Sequence, residues 1–174
     1  MPLVKTTLAP RGRTPVLRHR ARHRDKLSVA AALTISPVRG HVGLHCRTYP
    51  GGYVDAEVYA WFLRECLLRE VRGPVVLVQD NGQMHRGPAV RAVQLDHPRL
   101  ALEQLPAYAP ELNPTEGLWN RSKDKDLANF VPADVQELND AVCDCLTEAR
   151  HDQHRLRSFF TATPLSWRGT TLAR

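Results

Sequence analysis

Long apolar runs are absent from this sequence of 174 residues. No stretch of about 18 consecutive apolar residues occurs, so no membrane-spanning helix is predicted. The N-terminus is basic but lacks the apolar segment of a secretory signal, and we therefore expect a cytoplasmic protein. Internal repeats and low-complexity linkers are also missing, which favours one ordinary globular domain.

Paired cysteines are missing as well, since none of the four cysteines forms a C-x-x-C pair. We expect reduced thiols rather than a disulfide framework. The combination of His41, His45 and Cys46 has no second pair at the spacing that a tetrahedral zinc site needs. The sequence therefore predicts neither a zinc site nor a small-molecule cofactor.

Acidic residues are fewer than basic ones, with 18 Asp and Glu against 24 Lys and Arg, and the formal net charge is +6. Hydrophobic residues make up 43% of the chain and charged residues 24%, which are ordinary values for a globular protein with a core. The positive balance favours a polyanionic partner such as nucleic acid, although many soluble proteins are equally basic.

The basic residues are concentrated in the first 26 positions, which we interpret as a hairpin or an arm. From residue 18 to residue 24 every second residue is arginine. In a strand this spacing places the guanidinium groups on one face, where they can follow a phosphate backbone. The alternative is a solvated edge strand or arm. The candidate DNA-binding residues are Arg11, Arg13, Arg18, Arg20, Arg22, Arg24 and Lys26.

Apolar periodicity predicts alternating strands and helices, and hence an α/β fold. Strands are expected at 27–35, 41–48, 75–78 and 100–105, and the 75–78 strand should be covered on both faces. Helices are expected from Asp55 to the Gly73–Pro74 break, at 85–96, from Asn113 onward, at 134–150 and near 154–160. The tail from 161 to 174 should be frayed.

Two acids follow this pattern in positions suited to catalysis. Asp80 comes directly after the apolar 75–78 strand, and Glu116 begins the helix that follows the next strand. Both can reach one end of the sheet, as two-metal phosphoryl-transfer sites require. Alternatively, Asp80 caps a turn and Glu116 closes a capping box with Asn113. Glu111 is a competing acid in the same loop.

Two blocks around these acids resemble the mariner-like DDE transposases, particularly their bacterial insertion-sequence branch. The first is Val-Gln-Asp-Asn-Gly-Gln-Met-His at 78–85. The second is Leu-Pro-Ala-Tyr-Ala-Pro-Glu-Leu-Asn-Pro-Thr-Glu-Gly-Leu-Trp at 105–119. The resemblance implies an RNase H-like mixed sheet flanked by helices, over about residues 8–150. It also implies metal-dependent DNA cleavage and strand transfer.

The resemblance implies that Asp80 and Glu116 are catalytic and bind Mg²⁺ or Mn²⁺, supported by Asn81 and His85. The alternative for His85 is a purely local hydrogen-bonding role, and Trp119 is more typical of a core residue than of a base-stacking one. The implied partners are transposon-end and target DNA and a second copy of the chain in a homodimer. The implied location is the bacterial nucleoid.

The family's first acid, an Asp on the first strand of the sheet, has no counterpart among Asp25, Asp55 or any other early residue. We therefore expect the first strand to be missing, one edge of the 75–78 strand to be unpaired and the apolar faces of that strand to be partly uncovered. This predicts a truncated or frameshifted fragment, or a misassigned start, with doubtful activity. The alternatives are a catalytically inactive DNA-binding relic and another RNase H-like nuclease.

Overall fold

The computed structural model describes residues 9–13 and 26–165. Two strands come first, β1 (Leu27–Ile35) and β2 (Val42–Pro50), and they pair antiparallel along their whole length. Two further strands, β3 (Val75–Gln79) and β4 (Leu100–Gln104), pair in parallel. The predicted strands are thus all present, and the structure is a mixed α/β fold.

Helices connect and cover the strands. α1 (Ala56–Trp61) starts at its predicted N-cap, Asp55, whose carboxylate accepts a hydrogen bond from the Val58 amide. It continues as a π-helical segment, Phe62–Leu67, and a last turn, α2 (Leu68–Glu70). The remaining helices are α3 (Pro88–Asp96), α4 (Pro114–Arg121), α5 (Val135–His151) and α6 (Gln153–Thr161).

The β1–β2 sheet is covered on both faces. Ala30 and Ala32 of β1 point to a core cluster built with α1, the π-helical segment and α3. Val42 and Leu44 of β2 belong to a second cluster with α4, α5 and α6. Alternate residues of a strand point to opposite faces, so this hairpin forms the middle layer between two groups of helices.

The 75–78 strand is not covered on both faces, as its apolar run alone predicts, but is partly uncovered, as expected if the first strand is missing. Val75 and Leu77 pack against the first core cluster, but Val76 is 66% exposed and Val78 is 41% exposed. Among the described residues β3 pairs with β4 alone, and a cleft of about 900 Å³ is lined by both β1 and β3. The expected unpaired edge of this strand is therefore present in the described part of the chain.

The helix predicted at 85–96 begins later, at Pro88, for a backbone reason. Gln83–His85 forms a short 3-10 turn, and Gly87 follows with a φ of 127°. That angle suits glycine, and Pro88 then takes the first helical position, where a missing N–H costs nothing. His85 consequently lies in a turn between β3 and α3 rather than on a helix.

Candidate metal and nucleic-acid site

Asp80 lies at the carboxyl end of β3, where its carboxylate is tightly held. Its Oδ1 atom accepts a hydrogen bond of 2.8 Å from the Gly82 amide. The same oxygen lies 3.1 Å from Nε2 of His85. Hydrogen bonds from the described residues reach only Oδ1, so Oδ2 remains available to another ligand.

His85 is packed as well as hydrogen-bonded. Its ring meets the ring of Tyr59 edge-on, with centroids 4.4 Å apart. Burial lowers the pKa of His85, while the nearby Asp80 carboxylate acts in the opposite direction. A neutral ring with its proton on Nε2 can donate to Asp80, and Nδ1 is then buried without a hydrogen-bond partner among the described residues. His85 thus contacts the predicted catalytic acid directly.

A buried hydrogen-bond network next to Asp80 and His85 was not predicted from the sequence. The Gln79 side chain is 5% exposed, and its Oε1 accepts a 2.9 Å hydrogen bond from the Tyr59 hydroxyl. Its Nε2 donates to the His85 carbonyl at 3.2 Å. Gln79 therefore ties α1 to the turn that carries His85. A glutamine ending an apolar strand is the one sequence feature that could have indicated such a network.

Asn81 joins the ends of the two parallel strands. Its Nδ2 donates to the Leu105 carbonyl at 2.7 Å, and its Oδ1 accepts a 2.6 Å hydrogen bond from Nη2 of Arg86. The first bond fixes the loop after β3 against the end of β4. Arg86, which sequence reasoning missed, places an exposed guanidinium group beside the same loop.

Glu116 sits in the first turn of α4, after the predicted N-cap Asn113. The capping-box alternative for Glu116 is wrong, because the Asn113 amide donates to the Pro110 carbonyl and the Asn113 side chain caps the Thr115 amide. The half-buried Glu116 carboxylate has no hydrogen bond or ion pair among the described residues.

Close helix packing sets the position of Glu116. A Cβ atom on Gly117 would lie 2.9 Å from the Phe159 ring of α6, so only glycine lets α4 approach this closely. Trp119, two residues on, packs against the second core cluster, as its core interpretation predicts. Glu116 is therefore carried by a firmly packed helix rather than by a free loop.

Asp80 and Glu116 line the same two clefts, the large one beside β1 and a smaller one of about 180 Å³. Glu111 is exposed and lines neither of them. The part of the chain that the structure describes holds no group of three or more His, Cys, Asp or Glu side chains able to bind a metal. Two carboxylates still fit Mg²⁺, which keeps several waters and often takes only one or two protein carboxylates together with substrate phosphates.

Comparisons with known proteins identify the family of this chain and a structure with the same fold. Residues 2–139 match the family model for the DDE superfamily endonuclease. This chain belongs to the DDE superfamily endonuclease family. The resemblance predicted from the 78–85 and 105–119 blocks is thereby confirmed at the level of the family, while its insertion-sequence branch stays a prediction.

The fold of this DDE-family chain is shared with a solved structure, described as the crystal structure of the Mos1 strand transfer complex. The TM-score is 0.56 at 18% sequence identity, and the match covers 92% of this chain and 46% of the other. The likeness confirms the expected RNase H-like α/β fold. The chain spans less than half the length of that neighbour. No curated protein matches the chain.

The predicted DNA-binding arm of this DDE-family chain is only partly described. Arg18, Arg20, Arg22 and Arg24 lie outside the described residues, and Arg11 and Arg13 lie in an exposed turn. Nζ of Lys26 donates to the Tyr53 hydroxyl at 2.6 Å and lies 4.6 Å from the centre of its ring. The arm's role in DNA binding stays a prediction.

His45 contacts both a helix and the neighbouring strand. Its Nδ1 lies 2.6 Å from Oε2 of Glu70, and its Nε2 lies 3.3 Å from the Thr34 hydroxyl. These contacts tie the end of α2 to the β1–β2 hairpin.

No helix within the described ranges is long and apolar enough to cross a membrane.

Proposed function

We propose that this chain is part of a transposase catalytic domain in which Asp80 and Glu116 bind Mg²⁺ or Mn²⁺ for cleavage and joining of DNA strands. One observation carries the proposal. The half-buried Glu116 carboxylate, without a partner among the described residues, lines the same cleft as Asp80. Carboxylate oxygens that no protein group occupies are the hard ligands that Mg²⁺ and Mn²⁺ prefer.

The side chains around the cleft have distinct parts in this proposal. Asp80 and Glu116 supply hard oxygen ligands, and His85 holds Asp80 in one orientation through Oδ1. Asn81 fixes the loop between them against β4. A bound divalent cation would activate the attacking oxygen and stabilise the leaving oxygen at the DNA phosphate. Water or substrate phosphates would complete the coordination.

The partners follow from the same proposal. DNA at transposon ends and targets would contact the basic arm, Arg11–Lys26, through its phosphates. A homodimer would bring two such sites together. The nucleoid, where bacterial DNA is found, is the proposed location.

A nicking assay on the purified chain tests the activity. With supercoiled plasmid and Mn²⁺, we expect weak nicking by the unchanged chain and equally weak nicking by Glu111→Ala. Asp80→Ala and Glu116→Ala should lose nicking but keep DNA binding in a gel-shift assay. Nicking by Asp80→Ala at the unchanged rate would refute the assignment.

A second function, a catalytically inactive DNA-binding relic, is favoured by the lack of a third metal-binding side chain in the described residues. It predicts DNA binding that weakens with salt but is the same with Mn²⁺ and with EDTA, and no nicking with any divalent cation. Metal-dependent nicking that Asp80→Ala abolishes would exclude it.

A further inference from the structure

Tyr108 has an unusual conformation at the rim of the small cleft. Its φ is 60°, in the left-handed region that disfavours a bulky side chain. Among the described residues only one other non-glycine residue, Asn129, has a positive φ, and asparagine tolerates that region well. Strained backbone of this kind tends to occur at functional sites.

The Tyr108 ring is also completely uncovered, with a relative exposure of 102%. No described residue donates to, accepts from or stacks on it. Its neighbours Ala107 and Ala109 are small, which leaves both ring faces open, while Pro106 and Pro110 stiffen the loop on either side. A fully exposed aromatic ring buries no apolar surface in the folded chain and leaves its faces free for a ligand.

The cleft that Tyr108 lines holds Asp80 and Glu116 as well. A DNA strand whose phosphate lies at those acids would bring a neighbouring nucleobase to the rim. Aromatic side chains bind single-stranded nucleic acid by stacking on such bases, whatever the sequence. We propose that Tyr108 is a stacking platform for an unpaired nucleobase next to the cleft. This inference rests on the proposed function.

The test measures how much the affinity of the full chain for single-stranded DNA depends on the presence of bases. Fluorescence anisotropy with EDTA present would compare a short labelled single-stranded DNA with the same strand carrying abasic sites. We expect the unchanged chain and Tyr108→Phe to bind the intact strand about tenfold more tightly than the abasic one. Tyr108→Gly should bind both strands with the weaker affinity. Trp61→Leu, which removes a half-exposed aromatic ring away from the cleft, should keep the preference.

Glycine makes the test specific, because it suits a positive φ. Tyr108→Gly should therefore melt at or above the temperature of the unchanged chain, so a loss of base preference cannot come from unfolding. An unchanged preference for the intact strand would overturn the inference. Loss of self-association in Tyr108→Gly, with DNA binding unaltered, would assign the ring to a protein contact and overturn it too.

The two proposals fail separately. If Mn²⁺ binds through Asp80 but Tyr108→Gly keeps the preference for bases, only the stacking inference fails. If Asp80→Ala leaves Mn²⁺ binding unchanged, the proposed function fails, whatever the result with Tyr108.

Discussion

Nε2 of His85 and Oδ1 of Asp80 lie 3.1 Å apart, and the Gly82 amide donates to the same oxygen at 2.8 Å. One carboxylate oxygen is therefore fully occupied by the protein. The other is left for a ligand, which is the arrangement expected of a carboxylate oriented for metal binding.

Replacing His85 tests this orientation. His85→Ala removes the side-chain donor to Oδ1, so Asp80 can rotate, and the affinity for Mn²⁺ should fall by about tenfold. Isothermal titration calorimetry of Mn²⁺ measures the change. His154→Ala, at an exposed position on α6, should bind like the unchanged chain. Equal affinities in both variants would show that His85 has no part in positioning Asp80.

The buried hydrogen-bond network can be tested by comparing the stabilities of two tyrosine-to-phenylalanine variants. Tyr59→Phe removes the donor to Gln79 and leaves a buried oxygen unpaired, which should destabilise the chain by about 1–3 kcal/mol. The Tyr49 hydroxyl is buried without a partner among the described residues, so Tyr49→Phe should be neutral or stabilising. Urea unfolding followed by circular dichroism measures both. A Tyr59→Phe variant as stable as Tyr49→Phe would contradict the network.

The ion pair between Arg155 and Asp126 lies outside the candidate site and is expected to stabilise the fold. Arg155 is 8% exposed and donates to Oδ2 of Asp126, so Asp126→Ala leaves a buried charge uncompensated. We expect a loss of about 3 kcal/mol in unfolding free energy. Glu65→Ala, which breaks an exposed pair with Arg69, should cost below about 1 kcal/mol in the same experiment. Similar losses would contradict the assigned burial.

The uncovered face of β3 predicts self-association. Val76 is 66% exposed on a strand with one unpaired edge among the described residues, and such edges pair with other chains. Val76→Lys should reduce the aggregated fraction seen by light scattering. Leu95→Lys changes an even more exposed apolar residue on α3 and should have little effect. Equal effects would point to general hydrophobicity rather than to the strand edge.

Local features of the fold were predictable because they depend on nearby residues. Asp55, Asn113 and Pro114 occupy their predicted cap positions, since capping needs only a short stretch of chain. The apolar run of β3 indicates a buried strand but not which neighbours cover it. Its open face agrees instead with the expectation of partly uncovered faces, which depends on the missing first strand. The predicted capping box is absent because the Asn113 amide donates its hydrogen bond to the Pro110 carbonyl and not to Glu116.

Some residues of the candidate site could be predicted from the sequence and others could not. Asp80 and Glu116 could be located from motif and strand–helix context, and the structure places both on the same clefts. Tyr59 could not, because it reaches Gln79 from a helix far away in the sequence. The exposure and strain of Tyr108 depend on a backbone angle that no residue pattern in the 105–119 block reveals.

Manganese binding by acid variants is the most direct test of the central claim that Asp80 and Glu116 form one metal site. Calorimetric titration of the full chain should give Mn²⁺ binding that Asp80→Ala and Glu116→Ala each abolish, while Glu111→Ala binds normally. Mn²⁺ binding that survives in Glu116→Ala but is lost in Glu111→Ala would contradict the claim.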